Sequence, residues 1–565
     1  MKKIIINGLA LIAMVLTMSS CLKDLDTLPL NPTDKTAPVA YTSLSDYQKG
    51  MSYIYGYFAL VSQYSAGGSD LDLGFSGGES DLVRQYMILN EATTDALKCS
   101  WGDAYMSDLQ RNLWTSVDNS AVITVYARCM KAVTLCNEYL MRASSETLAE
   151  QGLTNIEADV NKFVAEVRFL RSLYYYILLD LYGNPPFATI ENIGGDAPSQ
   201  IGRDGLFTWI ESELLELTTS EDMPGFGEVE YPRATKGAVW ALLARMYLNS
   251  EVYTGTAQWD KAKNAAQEVI SMGYKLHETP TGTHDLGAYS ELFMQDNSIN
   301  GAKEEFIFSV CYDNTTTQSW GGTTHIVAGS MSADAGAGIA KAMGLGDKTI
   351  YVEGWSGYHV SQNYVDYFEL NNITWGDGGF GYDRANSDQR ALLFSGTQKE
   401  SFEITNFNSG WLCWKFSPLY SNGKAMTDVT SGDIKLSSTD FPLFRLAEMY
   451  LIYAEAQSRI DGGTTTDATA LGYINKLRSR AGVSEKQVSF TTDYVLEERA
   501  REFMWEGHRR SDLIRYGKFT SASFAWPYKG GIENGAIAIP EFRTVFPIIQ
   551  SDISTNPNLV QNAGY

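Results

Sequence analysis

The sequence predicts a mainly α-helical protein in which tetratricopeptide-like helical hairpins form a scaffold that carries a large loop-rich insertion. Apolar residues recur at helical spacing in two blocks, within 43–274 and within 441–565. Many of these stretches are separated by short turns, as in stacked hairpins, although no clean repeat of about 34 residues is found. Between the blocks, Gly, Thr, Ser, Asn and Trp dominate residues 275–440, and the helical spacing is lost.

The first 42 residues have the composition of a leader followed by a tether. Two lysines, an apolar run from Ile4 to Met18 and two serines stand before Cys21. The run is too short for a transmembrane helix, which needs about 20 apolar residues, so 1–20 is predicted to be a secretory signal peptide. Its end resembles a bacterial lipobox, which implies that Cys21 becomes the first mature residue and carries acyl chains. An ordinary secretory signal with a chance cysteine is the alternative. Residues 21–42, acidic and then proline-rich, predict an extended tether.

The first helical block, 43–274, contains amphipathic stretches of ordinary helix length. Alanines spaced through 234–250 suit close contact between helices, and Gly183-Asn184-Pro185-Pro186 predicts a sharp stop of the helix before it. The predicted helices of this block are 43–62, 120–144, 158–182, 205–217, 234–250 and 258–271.

The insertion and the second helical block follow. In 275–440 the clearest strand-like run is Glu305–Val310, and a loop region of this length is usually functional. The second block predicts helices at 443–460, 467–481 and 493–510. Residues 498–510 carry opposite charges three and four positions apart, which predicts an ion-paired seam rather than a catalytic site.

The composition limits the classes of function. A net charge of −23 argues against binding nucleic acid or anionic lipid through the protein surface. Five cysteines besides Cys21 form an odd, sparse set, which is a poor disulfide framework, and Cys129 and Cys136 are predicted to be buried small hydrophobes. With 33 Tyr and 12 Trp, the chain has the rings from which sugar-binding surfaces are built, because the C–H bonds of a pyranose face pack against a π-system.

Short matches to enzyme motifs carry little weight. Gly74-Phe-Ser-Gly-Gly78 satisfies GxSxG, but it stands in a loop without the strand and helix of a nucleophile elbow. Gly376–Gly381 satisfies GxGxxG and lacks the same context. The five histidines show no zinc-ligand spacing. A glycoside hydrolase needs only two carboxylates, so it is the alternative from a different class.

Four stretches together resemble the SusD/RagB family of outer-membrane nutrient-binding lipoproteins. They are AEVRFLRSLYYYILLDLYGNPPF (165–187), DFPLFRLAEMYLIYAEA (440–456), ERAREFMWEGHRRSDLIRYGKF (498–519) and FPIIQSDISTNPNLVQNAGY (546–565). The likeness runs from Cys21 to Tyr565. It implies a SusD-like fold and a non-catalytic protein that captures glycans on the cell surface. It also implies docking as a lid on a TonB-dependent, SusC-like transporter in the outer membrane.

The resemblance extends to a starch-binding member of the family through EVYTG (251–255), YSELFMQDN (289–297), WGGTT (320–324) and DQRALLFSG (388–396). It implies that Arg84, in ESDLVRQ, makes a polar contact to a glycan. Asp103 is a further candidate for a hydrogen bond that selects hydroxyl positions. The resemblance further implies that Trp101, Trp320 and Trp355 are the aromatic contacts, for which core packing is the alternative. The sequence departs from that member at Cys99 and Ala104, where a Trp and an Asn are expected, and this leaves the linkage preference open.

The same resemblance implies a structural calcium ion and a leading ligand. Asp296 and Asp440 fall where that member holds calcium, although Ser438 replaces one acidic ligand; a pair of turn or cap aspartates is the alternative. No cofactor is expected to be required. The leading ligand is an α-glucan such as starch or malto-oligosaccharide, and the alternatives are another glycan, a peptide or a hydrolase function.

Overall fold

The computed structural model describes residues 40–565 apart from 63–64, 72, 76, 285, 347, 352, 377, 400–401 and 430–435. The signal peptide, Cys21 and most of the tether lie outside these residues, and so does Ser76 of the GxSxG match.

The described residues are mainly α-helical, as the sequence predicts. In chain order the helices are α1 Leu44–Gly56, α2 Leu82–Glu91, α3 Ala104–Gln110, α4 Ser120–Arg142, α5 Ser145–Glu150, α6 Glu157–Tyr182, α7 Arg203–Thr219, α8 Lys236–Leu248, α9 Ser250–Thr254, α10 Trp259–Ile270, α11 Ala288–Glu291, α12 Gly322–Ser330, α13 Ala333–Ala342, α14 Gln362–Val365, α15 Met426–Val429, α16 Leu446–Ile460, α17 Ala468–Arg480, α18 Thr492–Phe503, α19 Arg509–Arg515 and α20 Gln550–Thr555.

Short strands form two-stranded antiparallel pairs. They are β1 Lys98–Cys99 with β3 Tyr358–His359, β2 Phe306–Val310 with β6 Phe441–Arg445, β4 Leu393–Phe394 with β5 Leu412–Cys413, and β7 Thr464–Thr465 with β8 Phe490–Thr491.

The scaffold is a stack of neighbouring helices. α4 packs on α6, α6 on α7, α7 on α8 and α8 on α10. The stack then continues across the insertion, because α10 packs on α16, and α16 packs on α17 and α18. Alanines of α8 that the sequence predicts at a helix contact are fully buried. Cys129 and Cys136 are fully buried too, which confirms their prediction as small hydrophobes.

The insertion leaves the scaffold and returns to it at one place. β2 is antiparallel to β6, with Phe306 opposite Arg445 and Val310 opposite Phe441. The sequence predicts the first of these strands. It assigns 443–445 to a helix, which is wrong, because these residues pair with β2 as part of β6. α12 and α13 also lie within the insertion, where the sequence predicts loops, and α2 is a further helix that it does not predict.

The ion-paired seam is confirmed, although its main partners come from other elements. Arg445 Nη1 lies 2.6 Å from Glu502 Oε1, and Arg390 Nη1 lies 2.6 Å from Glu498 Oε1. Arg445 also contacts Glu305 of the insertion boundary and Glu506. All six side chains are buried, so the seam lies inside the molecule and joins the insertion to the second block.

The predicted helix 493–510 is wrong as one element, because it breaks between α18 and α19. Trp505 and Gly507 have φ angles of 63° and 82°. The side chain of Glu91 accepts hydrogen bonds from the backbone N–H groups of Gly507 and His508, at 2.7 and 3.2 Å, which replaces helical bonding there. Across the part of the chain that the structure describes, none of the helices combines the length and apolar character of a membrane span.

Candidate functional site

The structure brings Trp101, Trp320 and Trp355 to one place, although 254 residues separate the first from the last in the chain. The ring centroids of Trp320 and Trp355 are 6.2 Å apart with the planes 33° from parallel. The Trp101 indole Nε1 points to the backbone carbonyl of Trp355 at 3.5 Å. Each ring is half-buried, so each combines packing against the protein with an accessible surface. We call this group the tryptophan platform.

A short antiparallel pairing sets the position of Trp101 against Trp355. Trp101 follows β1, whose partner β3 begins just after Trp355, and the backbone N–H of Ser100 donates to the carbonyl of Gly357 at 2.8 Å. Gly357 has a φ of 110°, and a Cβ placed on it would lie 2.5 Å from the Trp101 Nε1 atom. Only glycine therefore lets the indole lie over this turn.

A buried aspartate fixes the loop that carries Trp320. Asp81, the N-cap of α2, accepts from the Ser319 hydroxyl at 2.7 Å and from the backbone N–H of Gly322 at 3.0 Å. Burial raises the pKa of Asp81, and hydrogen bonds act in the opposite direction. The same carboxylate accepts from the backbone N–H of Arg84, so one side chain aligns the Trp320 loop with the helix that bears Arg84.

Arg84 lies behind the platform with part of its hydrogen-bonding capacity unused. The side chain is 9% exposed, and its Nη2 is 3.4 Å from the Tyr105 hydroxyl. Its Nε meets no acceptor among the residues that the structure describes. An unpaired buried donor is costly, so Arg84 is a polar group of this site whose hydrogen bonding the described residues leave incomplete.

His325 and Tyr358 complete the site, and the sequence analysis misses both. The His325 ring lies 5.5 Å from Trp101 and 5.7 Å from Trp355, and its Nε2 is hydrogen-bonded to the Tyr358 hydroxyl. Tyr358 packs on Trp101 at 4.9 Å. The only sequence signal is proximity, since His325 follows WGGTT and Tyr358 follows EGWSG. Burial, with a smaller contribution from Arg84, lowers the pKa of His325 well below its usual value. The imidazole is therefore neutral and supports the rings.

Asp103 is exposed and stands immediately before α3, two residues after Trp101. Its charge adds to burial in raising the pKa of Tyr358 above the usual range, which places Asp103 within electrostatic reach of the site. The carboxylate makes no capping hydrogen bond to α3, so it is available to accept one from a hydroxyl group.

Asp296 and Asp440, the predicted calcium ligands, each accept hydrogen bonds from donors of the protein itself. Asp440 accepts from the Tyr231 hydroxyl at 2.7 Å and from the backbone N–H of Tyr312 at 3.0 Å. Asp296 accepts from both the backbone N–H and the hydroxyl of Ser421. Over the described residues, no group of three or more His, Cys, Asp or Glu side chains is arranged to hold a metal ion. The donor set thus offers a cation little free oxygen, and calcium stays a prediction from the resemblance.

Two family models and a characterised relative match this chain. Residues 371–565 match the model described as the SusD family, and residues 77–248 match the one described as starch-binding associating with outer membrane. The chain is 34% identical to the starch-binding protein SusD of Bacteroides thetaiotaomicron, over 98% of each chain.

Solved structures share the fold. A SusD-like protein from Bacteroides fragilis superposes with a TM-score of 0.67 at 18% identity, over 95% of this chain and 100% of that one. The surface glycan-binding protein A from Bacteroides thetaiotaomicron, solved in complex with laminarihexaose, superposes with a TM-score of 0.64 at 17% identity, over 92% and 99%. The mainly helical, SusD-like architecture predicted from the sequence is therefore confirmed.

Proposed function

Because this chain belongs to the SusD family, being 34% identical to a member over 98% of its length, we propose that it captures a glycan at the cell surface without cleaving it. The observation that carries the proposal is the tryptophan platform. Its rings meet at one half-buried surface, and behind them the Arg84 side chain has a donor that no described residue accepts from. This is the combination that binds a sugar chain, since rings pack on sugar faces while donors bind hydroxyl groups.

The platform supports binding of moderate strength. Each aromatic contact contributes about 0.5–1.5 kcal/mol beyond the burial of area. Together with a few hydrogen bonds, such contacts support dissociation constants of roughly micromolar to millimolar. Capture of an abundant polymer does not need tighter binding.

An α-glucan is the leading ligand. Trp320 and Trp355 are tilted by 33°, so their faces follow a curve rather than a plane. A helical α-glucan presents successive sugar faces along a curve, whereas a flat, extended glycan does not. The starch-binding relative named above supports the same choice. Hydrogen bonds from Arg84 and to Asp103 would then select the positions of hydroxyl groups.

The proposed cellular location is the outer face of the outer membrane. Acylation of Cys21 would hold the protein on the outer face of the outer membrane, where it would deliver the glycan to a TonB-dependent, SusC-like transporter. The family description that mentions the outer membrane supports this placement. Cys21→Ala is expected to move the protein from the membrane fraction to the soluble fraction, and unchanged membrane association would refute the anchor. Co-purification of the wild-type protein tests the transporter.

A panel of polysaccharides on native affinity gels tests the binding function, with release of reducing ends measured in parallel. Starch is expected to retard the wild-type protein without releasing sugar. Trp101→Ala and Trp320→Ala are expected to abolish the retardation. Trp240→Ala is the matched control, because Trp240 is also a half-buried tryptophan but lies on α8 of the scaffold.

The other outcomes separate the alternatives. Steady release of reducing ends would replace the proposal with a hydrolase. Retardation only by a β-linked glycan would refute the α-glucan and keep glycan binding. Retardation that survives both tryptophan substitutions would show that the platform is not the site, and binding of peptides alone would exclude a glycan ligand.

A further inference from the structure

One buried arginine of the scaffold binds the loop that lies against the tryptophan platform. Residues 60–80, described apart from 63–64, 72 and 76, lie between α1 and α2, and we call them the α1–α2 loop. We propose that Arg128 of α4, with Asp70 as its partner in the loop, is a positioning residue for Trp320, because it holds the loop against that ring. This inference rests on the proposed function, since it assigns these residues to the same glycan site.

The guanidinium of Arg128 binds both ends of the α1–α2 loop. The side chain is fully buried. The first end supplies the carbonyls of Leu60 and Val61, at 3.4 and 3.2 Å. The last end supplies the carbonyl and the hydroxyl of Ser80, at 2.6 and 3.2 Å. The Asp70 carboxylate, between the two ends, lies 2.7 Å from Nη1. Because a guanidinium presents its donors in a planar fork, this one side chain fixes both ends of the loop at once.

The two arms of the α1–α2 loop are in direct backbone contact. A Cβ placed on Gly77 would lie 2.2 Å from the carbonyl oxygens of Gly67 and Gly68, so only glycine lets the arms approach this closely. The backbone N–H of Asp70 donates to the carbonyl of Val61 at 2.9 Å, which closes the first arm on itself. The described residues of the loop are therefore packed together, and a change that releases one arm loosens the other.

Both arms of the loop contact Trp320. The backbone N–H of Trp320 donates to the carbonyl of Ala66 at 3.3 Å, and a Cβ placed on Gly67 would lie 3.6 Å from the indole Cδ1. On the second arm, a Cβ placed on Gly78 would lie 3.4 Å from the Trp320 Cβ and 3.2 Å from the Arg84 Nη1. The loop thus lies against the base and one edge of the indole, and beside the guanidinium of Arg84.

A second connection leads from Arg128 to Trp320 through Asp81. Burial raises the pKa of Asp81, while its hydrogen bonds and the charge of Arg128 act in the opposite direction. Asp81 accepts from the Ser319 hydroxyl and from the backbone N–H of Gly322, on either side of Trp320 in the chain. Arg128 therefore favours the ionised carboxylate that holds the Trp320 segment.

Fluorine NMR tests the position of the ring without any ligand. The full-length protein is labelled with 5-fluorotryptophan, and Trp320→Phe identifies the Trp320 resonance. Arg128→Lys keeps the charge but donates from one nitrogen, so it cannot bind both ends of the loop. It is expected to shift or broaden the Trp320 resonance and to leave that of Trp240, on α8, in place. Asp70→Asn is expected to shift the Trp320 resonance as well, and it replaces Arg128→Lys if that variant does not fold.

Isothermal titration calorimetry tests the consequence for binding. Arg128→Lys is expected to weaken binding of the glycan that the wild-type protein retains best on the gels by about 3- to 10-fold, which is the value of one aromatic contact. Arg245→Lys is the matched control, because Arg245 is a buried arginine of α8 that binds Glu448 and the Leu443 carbonyl with the same fork. It should lower stability but leave affinity and the Trp320 resonance unchanged, which separates positioning from a general loss of stability.

Three results would overturn the proposal. The first is a Trp320 resonance that stays in place in both Arg128→Lys and Asp70→Asn. The second is an affinity within about 2-fold of the wild type in the folded loop variants, even where the resonance moves. The third is an equal shift of the Trp320 resonance in Arg245→Lys. If the wild-type protein retains no glycan, the proposed function fails, and the NMR spectra alone decide whether Arg128 positions Trp320.

Discussion

Gly357 is the residue on which the position of Trp101 depends. Gly357→Ala is expected to displace the indole, because the new Cβ would lie 2.5 Å from its Nε1 and the φ of 110° disfavours alanine. The strain should cost about 1–3 kcal/mol of folding stability. Retardation by glycan should fall as far as in Trp101→Ala, with an unchanged circular dichroism spectrum.

The control substitution is at Gly102, the residue that follows Trp101 in the chain. Gly102→Ala is expected to bind like the wild-type protein, because a Cβ at Gly102 meets nothing within 4 Å. Equal retardation of the two glycine variants would contradict the role given to Gly357.

At the residue scale, sequence predicts side chains that carry a recognisable motif and misses those that support them. Trp101, Trp320 and Trp355 could be named because each stands in a segment that resembles a relative, and the structure does bring them together. His325 and Tyr358 are buried and pair with each other, and nothing in the sequence shows that contact before the chain is folded. The contact arises because α12, which carries His325, packs on β3, which carries Tyr358.

At the scale of elements, the buried seam is the feature most sensitive to substitution. Arg445→Met should lower the free energy of unfolding by about 3–5 kcal/mol, because Glu305, Glu502 and Glu506 would keep buried charges without this partner. Urea denaturation measures the loss. Lys162→Met removes an exposed ion pair with Asp159 and should cost less than about 1 kcal/mol. Equal losses would show that the seam is not a stabilising contact between elements.

The seam also predicts how stability depends on pH. Burial alone raises the pKa of Glu498, but Arg390 and Arg501 lower it to about 2. Between pH 4.5 and 2 the unfolded chain takes up a proton at this position while the folded protein does not, so stability falls as the pH falls through that window. Thermal denaturation from pH 6 to pH 3 should show a smaller decrease in Tm for Glu498→Gln than for the wild type. An identical decrease would contradict the assignment.

Helical spacing predicts most scaffold helices to within about two residues, because each buries a continuous apolar face. The predicted stretch 120–144, for example, forms α4 Ser120–Arg142, and 158–182 forms α6 Glu157–Tyr182. The prediction 43–62 is too long, since α1 ends at Gly56. The spacing fails where distant groups compete for the backbone. The Glu91 side chain accepts hydrogen bonds from two N–H groups between α18 and α19, and the start of the predicted helix 443–460 pairs with β2 as a strand. Neither competitor is visible in the local sequence.

At the scale of the whole molecule, the calcium prediction concerns the metal content of the purified protein. The resemblance predicts about one calcium ion per purified chain, at Asp296 and Asp440. Elemental analysis after exhaustive dialysis against buffer without chelator measures it, and Asp296→Asn should remove the ion. A preparation free of calcium would end the idea, and the hydrogen bonds that both carboxylates make to protein donors would then be their whole role.

The pairing of β2 with β6 brings the two ends of the insertion together. Since Val310 lies opposite Phe441, residues 311–440 begin and end at one point on the scaffold. Loop-closure entropy grows only slowly with loop length, so closing the insertion tolerates changes of length outside the segments that contact the helical blocks, such as β3 and Arg390. It carries Trp320 and Trp355, whereas Arg84 and Trp101 belong to the scaffold. The aromatic surface is therefore assembled from two separate parts of the chain, and a sequence change within 311–440 can alter Trp320 and Trp355 while Arg84 and Trp101 stay in place.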